Sequence, residues 1–60
     1  MAGEKYIVAA SDNPAQILVR NILNPLGYIF LGNCRDAASL MRLIRSYQPD
    51  FIVVDTSIKL

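Results

Sequence analysis

Three short apolar runs alternate with two amphipathic stretches along the chain. The apolar runs begin at Lys5, Tyr28 and Phe51, and each is rich in β-branched or aromatic residues. Continuous apolar runs of this length are typical of parallel strands that helices cover on both faces. We therefore predict strands over residues 5–10, 28–31 and 51–55, with a loop from Gly32 to Arg35.

The first amphipathic stretch predicts a helix over residues 14–26. Ser11, Asp12 and Asn13 are favoured helix caps, and Pro14 suits the first helical position. Pro25 disturbs the last turn, and Gly27 fits the position just after a helix end. The spacing predicts that Gln16 faces solvent and that the buried stripe contains Ala15, Leu18, Val19, Ile22, Leu23 and Leu26.

The second amphipathic stretch predicts a helix over residues 37–47. Asp36 can cap it, and Pro49 prevents its continuation. Its predicted buried face contains Leu40, Met41, Leu43, Ile44 and Tyr47. Strands that alternate with helices of this length predict one α/β domain over residues 1–60, with parallel strands in the order 2-1-3.

Composition excludes several classes of protein. Apolar residues make up 53% of the 60 residues and charged residues 18%, which excludes a disordered chain. A net charge of +1 gives no reason to expect a nucleic acid or a membrane as partner. The single cysteine, Cys34, cannot form an internal disulfide, and no apolar run is long enough to span a membrane. We expect a cytoplasmic protein, with Cys34 as a small apolar filler.

Candidate chemistry lies where two of the predicted strands end. In an open parallel sheet, ligands bind at the carboxyl ends of the strands. Asp12 follows the first strand, and Asp55 and Ser57 lie at the end of the third. Oxygen ligands of this kind suit Mg²⁺, and a carboxylate can accept a phosphoryl group. Local sequence leaves simpler roles open, since Asp12 can cap a helix and Asp55 can begin a turn.

The order of these elements resembles the receiver domains of two-component response regulators. The resemblance covers residues 5–59 and rests on three segments, Lys5-Tyr-Ile-Val, Ile22-Leu-Asn-Pro-Leu-Gly-Tyr28 and Asp50-Phe-Ile-Val-Val-Asp55. It implies a three-layer flavodoxin-like fold. It also implies that Asp55 accepts a phosphoryl group from a histidine kinase and thereby controls an effector, for example in transcription or antitermination. The family is a signalling module rather than a dedicated enzyme, and it requires Mg²⁺, here placed on Asp12, Asp55 and the main chain of Ser57.

The chain departs from the family pattern at three places. Aligned without gaps, Ala10 and Ser11 occupy the usual pair of acidic positions and Asp12 lies one residue beyond, whereas a one-residue deletion in the first helix would make Asp12 the second acidic residue. At least one carboxylate is missing in either alignment, so Mg²⁺ is expected to bind weakly. The usual Met-Pro pair after the phosphoacceptor is replaced by Ile58-Lys59. No segments correspond to the fourth and fifth strands, so we expect a truncated receiver that is either a fragment of a longer protein or a unit that completes itself as a homodimer through its exposed third strand.

Two other functions remain open from the sequence. One is a pseudo-receiver that is never phosphorylated and acts as a protein interaction module. The other is half of a flavodoxin-like small-molecule binder or enzyme, which the glycine-free turn Ala10-Ser-Asp-Asn-Pro14 makes less favoured.

Overall fold

The computed structural model of the chain describes residues 3–55 and residue 58. Within that part the chain forms three strands and two helices in alternation. The bounds are β1 Lys5–Ala9, α1 Asn13–Leu23, a 3-10 turn Asn24–Leu26, β2 Ile29–Cys34, α2 Ala37–Tyr47 and β3 Phe51–Val54. The strands are parallel in the order β2-β1-β3, so the predicted α/β architecture and strand order are confirmed.

β1 is the central strand and the most deeply buried element. Tyr6, Ile7, Val8 and Ala9 are each at most 1% exposed. Ala9 pairs with Cys34 of β2 on one side and with Val54 of β3 on the other. A strand with a neighbour at each edge and a helix on each face has no exposed side, which explains its uninterrupted apolar sequence.

The two helices cover opposite faces of the sheet. Alternate residues of β1 point to opposite faces, and each set has its own core. The α1-face core contains Tyr6, Val8 and Ala10, packed with Ala15, Val19, Leu23, Tyr28, Phe30 and Phe51. The α2-face core contains Ile7, Ala9, Cys34, Leu40 and Ile58, packed with Leu31, Leu43, Ile44 and Ile52.

β2 is longer than the sequence predicts. It runs from Ile29 to Cys34, so Gly32 to Cys34, predicted as loop, belong to the strand. The register against β1 shifts by one residue: Tyr6 pairs with Phe30, and Ile7 pairs with Gly32. Leu31 is therefore an extra residue in β2, a β-bulge that changes which face the following side chains occupy.

The predicted buried stripe of α1 is confirmed for Ala15, Val19 and Leu23, which pack in the α1-face core, but is wrong for its other three residues. Leu18, Ile22 and Leu26 are 61%, 55% and 64% exposed, whereas Gln16, predicted to face solvent, is only 4% exposed. The regular helix also ends at Leu23 rather than residue 26, because Pro25 lies in a tighter 3-10 turn that Gly27 closes at φ 97°. The amide of Gln16 finds hydrogen-bond partners inside the protein, and this fixes the rotation of the helix.

α2 begins and ends where the sequence predicts. The carboxylate of Asp36 accepts a hydrogen bond from Ser39 N at 2.7 Å, which confirms its capping role. Leu40 is buried, but Met41 and Tyr47, predicted to be buried, are 50% and 52% exposed. Neither α2 nor α1 has the length and hydropathy needed to cross a membrane, within the described residues.

Candidate functional site

The carboxyl ends of the three strands meet along one rim of the sheet. Asp55 N donates to Ala9 O at 2.8 Å, and Ala10 N donates to Cys34 O at 3.0 Å. The residue just after β3 and the last residue of β2 therefore both lie against the end of β1. This parallel arrangement brings Asp55 next to Ala10, in the part of the sheet where α/β proteins bind their ligands.

Asp55 lies at the start of a tight turn. Its carbonyl accepts a hydrogen bond from Ile58 N at 3.1 Å, and the residue is partly exposed. Ile58 is 7% exposed and packs in the α2-face core. The turn is thus fixed at both ends, by the β3 ladder before it and by a core side chain after it. Thr56 and Ser57 lie outside the described residues, so the predicted main-chain ligand at Ser57 does too.

Asp12 is the N-cap of α1. One carboxylate oxygen accepts a hydrogen bond from Ala15 N at 2.7 Å, and the residue is exposed. The capping role that the sequence left open is therefore confirmed. Ala10, the residue that follows the central strand, is only 1% exposed and belongs to the α1-face core. The position just after β1 thus carries a packed methyl group and no carboxylate.

Gln16 is a rim residue that the sequence pattern does not reveal. Its side-chain nitrogen donates to Ala10 O at 2.8 Å, and its side-chain oxygen accepts from the Asn33 amide of β2. One buried side chain thus connects α1, the end of β1 and the end of β2. Buried polar groups need such partners, and among the described residues every buried side-chain nitrogen and oxygen has one.

A second contact connects the loop after β2 with the start of α1. A guanidinium nitrogen of Arg35 donates to the side-chain oxygen of Asn13 at 2.6 Å, and both residues are exposed. Hydrogen bonds from the main chain and hydroxyl of Ser39 hold the pKa of Asp36 below its usual range. The rim therefore carries a cation as well as carboxylates, and Asp36 is fully ionised at neutral pH.

Cys34 is a core residue, as predicted. It is 4% exposed, and its thiol lies 3.7 Å from Val8 O. Burial raises the pKa of the thiol, and the nearby Asp36 carboxylate raises it further. Since the thiolate is the reactive form, this environment gives the thiol low reactivity.

The rim contains few candidate ligands for a metal ion. Across residues 3–55 and 58, no group of three or more carboxylate, histidine or cysteine side chains is placed to hold one. The oxygen chemistry of Asp12 and Asp55 suits Mg²⁺, but two carboxylates make a sparse ligand set. A shallow open pocket of about 280 Å³ lies elsewhere, between β2 and α2, and is lined by Asn33, Ser39, Arg42 and Leu43.

Fold and rim together define a class: a small parallel α/β protein with two helices, strand order β2-β1-β3 and a polar rim at the strand ends. No family model, curated protein or solved structure matches the chain. A proposed function therefore depends on the rim itself and on the sequence pattern expected of receiver domains.

Proposed function

We propose that this chain is a receiver-type signalling domain of the flavodoxin-like class, with Asp55 as its phosphoacceptor. The observation that supports this proposal most is the position of Asp55. It directly follows β3, it is hydrogen-bonded through its main chain to the central strand, and it begins a turn that Ile58 anchors in the core. A nucleophile needs this kind of fixed placement, because a displaced carboxylate loses its alignment with phosphorus.

The proposed reaction transfers a phosphoryl group to the carboxylate of Asp55. One carboxylate oxygen forms a bond to phosphorus while the bond from phosphorus to the imidazole nitrogen of a phosphohistidine donor breaks. The leaving imidazole keeps the electron pair of that bond and takes up a proton from water. The product is an acyl phosphate on Asp55. The added charge at the rim would then alter a surface that an effector reads.

Asp12 and Asp55, with the main chain of Ser57, are the residues proposed to hold a weakly bound Mg²⁺ ion. When bound, the ion supplies positive charge next to the phosphoryl oxygens. One carboxylate oxygen of Asp12 already accepts the hydrogen bond that caps α1, and the side chain of Ala10 provides no ligand. We therefore expect phosphorylation of Asp55 to need a high concentration of Mg²⁺.

A second candidate is an interaction module that is never phosphorylated. The packed methyl group of Ala10 and the capping role of Asp12 favour it. So does the number of large apolar side chains exposed in the described residues: Ile17, Leu18, Ile22, Leu26, Ile29, Met41, Tyr47 and Val54. Single exposed apolar residues are ordinary, but this many on a chain of 60 residues indicates surfaces that contact another protein.

A small-molecule phosphodonor separates the two candidates. The full chain is incubated with acetyl phosphate and a series of Mg²⁺ concentrations, and intact mass reports the addition of one phosphoryl group. The variants are Asp55→Asn, which removes the nucleophile, and Asp12→Asn, which keeps a good N-cap but removes a metal-binding charge. Asp50→Asn serves as the control, because Asp50 is an exposed aspartate at the opposite end of β3.

We expect a hydroxylamine-sensitive adduct on the parent chain and on Asp50→Asn, but none on Asp55→Asn. Asp12→Asn should need more Mg²⁺ to reach the same extent of modification. Absence of an adduct on the correctly folded parent chain at any Mg²⁺ concentration would refute the phosphoacceptor role and leave the interaction module. An adduct that persists in Asp55→Asn would place the reactive group elsewhere.

A further inference from the structure

The main chain at Ala10 is the point where the three strand ends connect. Its N–H donates to Cys34 O of β2 at 3.0 Å, and its carbonyl accepts a hydrogen bond from the side chain of Gln16 at 2.8 Å. The carbonyl just before it, Ala9 O, accepts from Asp55 N at 2.8 Å. The position of Ala10 is therefore fixed relative to β2, to α1 and to the residue that follows β3.

Gln16 holds the chain on both sides of Ser11. Its side-chain nitrogen binds Ala10 O, and its main-chain N–H donates to Asp12 O at 3.5 Å. The carboxylate of Asp12 also accepts from the N–H of Ala15, the neighbour of Gln16 in α1. The segment from Ala10 to Asp12 is thus bonded at both of its ends to the first turn of α1.

The side-chain amide of Gln16 has one orientation that satisfies its neighbours. A main-chain carbonyl only accepts hydrogen bonds, so the nitrogen of Gln16 has to face Ala10 O. Its oxygen then faces β2, where the side-chain nitrogen of Asn33 donates to it. Gln16 is 4% exposed, whereas Asn33 is exposed to solvent. A surface residue of β2 therefore orients the buried amide that holds Ala10.

Short stretches of chain connect this contact to both carboxylates of the proposed metal site. Asp12 is two residues after Ala10, and two residues of extended chain span at most about 7 Å. Asp55 is bonded through its N–H to Ala9, the residue before Ala10. A shift of Ala10 relative to α1 therefore changes the separation between Asp12, at the start of α1, and Asp55. Mg²⁺ needs near-ideal placement of its ligands, so such a shift weakens its binding.

We propose that Gln16 and Asn33 are positioning residues that set how tightly Asp12 and Asp55 bind Mg²⁺. This inference rests on the Mg²⁺ site of the proposed function. Gln16 acts through the main chain of Ala10, and Asn33 acts only through Gln16. The side chain of Gln16 is not itself a ligand, since it is buried and both of its polar atoms bond within the protein.

Residues that orient a metal ligand affect the affinity for the metal. Their replacement typically weakens binding about 10- to 100-fold. Gln16 acts through the main chain and not directly on the carboxylate of Asp12, so the smaller figure applies. We therefore expect loss of the Gln16 amide to weaken Mg²⁺ binding about tenfold. Loss of the Asn33 amide should weaken it less, because Gln16 can still bond to Ala10 O.

The test measures Mg²⁺ binding by NMR with no phosphodonor present. The amide resonances of Asp12 and Asp55 in the isotope-labelled full chain are followed as Mg²⁺ is added at constant ionic strength. Only folded molecules give these resonances, so a loss of stability does not by itself change the measured Kd. Asp12→Asn keeps a good N-cap and removes a ligand charge, so it shows whether the titrating site is the rim.

The variants are Gln16→Met, which keeps the length of the side chain and removes its hydrogen bonds, and Asn33→Ala. Val19→Ala is the matched control, because Val19 is on the same helix and packs in the α1-face core. It removes core packing and leaves both amides in place. Urea unfolding of each variant gives the accompanying loss of stability. Asn33→Ala, at an exposed position, supplies the test if Gln16→Met does not fold.

We expect the Kd for Mg²⁺ to rise about tenfold in Gln16→Met, less in Asn33→Ala, no further in the double variant, and not at all in Val19→Ala. An unchanged Kd in the two amide variants would overturn the proposal, as would an equal rise in Val19→Ala. So would a parent chain that does not titrate, or a titration that Asp12→Asn does not alter. Phosphorylation of Asp55 with an unchanged Kd in the amide variants would refute this inference and support the proposed function. The expected series of Kd values without an acyl phosphate would do the reverse.

Discussion

Replacing Gln16 with leucine should destabilise the protein by about 2 kcal/mol. The change removes two side-chain hydrogen bonds, one to Ala10 O and one from Asn33. Each is worth roughly 1 kcal/mol net, and the partners left behind add to the loss. The extra buried apolar area of leucine returns about 1 kcal/mol. A chain of 60 residues has a total stability of only about 3–9 kcal/mol, so the loss is easily measured.

Urea unfolding followed by far-UV circular dichroism measures this change as a shift of the midpoint at constant slope. Asn21→Leu is the matched control, since Asn21 is an amide on the same helix that is exposed to solvent. Its effect should stay within about 0.5 kcal/mol. The double variant Gln16→Leu/Asn33→Ala should lose less than the sum of the single variants, because both single changes remove the same hydrogen bond. A Gln16→Leu protein as stable as its parent would refute the reasoning.

Three further predictions concern the core and the pH dependence. Burial raises the pKa of Tyr6, whose hydroxyl donates to Asn24, although Arg20 partly opposes the shift. The folded protein thus keeps the hydroxyl proton of Tyr6 above pH ~10, where the unfolded chain loses it. The free energy of unfolding therefore decreases above that pH, and it should decrease less in Tyr6→Phe. The pKa of Asp36 is lowered in the folded protein, so its ionised carboxylate stabilises the fold above pH ~4, and this stabilisation is lost on acidification. The variant Asp36→Asn still caps the helix, and the free energy of unfolding should therefore decrease less in acid than that of the parent. Ile58→Ala should cost about 2–4 kcal/mol, while exposed Ile17→Ala should cost far less; equal losses in urea unfolding would contradict the anchoring role of Ile58.

The sequence predicts the elements that depend on strong local patterns. Apolar runs define the strands, and Asp12 and Asp36 are recognisable as caps because their side chains bond to main-chain groups three residues away. Parallel order follows from the alternation of strands and helices. The predicted first and third strands are each one residue too long, because Ala10 and Asp55 lie just after the ends of β1 and β3.

What the sequence misses depends on contacts between distant residues. The apolar stripe of α1 is wide, so periodicity alone does not fix which part of it faces the sheet. The amide of Gln16 decides the rotation by bonding Ala10 and Asn33. Ile58 looks like a loop residue locally, and only the position of α2 makes its environment apolar.

The bulge at Leu31 makes the spacing between Phe30 and Cys34 critical. Phe30 packs on the α1 face, while Gly32 and Cys34 lie on the α2 face and Asn33 reaches Gln16 on the α1 face. In a regular strand, Phe30, Gly32 and Cys34 would all share one face. Inserting one more residue here would move Cys34 out of its core and separate Asn33 from Gln16, whereas deleting Leu31 would leave a regular strand that keeps both contacts. This outer strand, although next to a loop, should therefore tolerate many substitutions but no insertion.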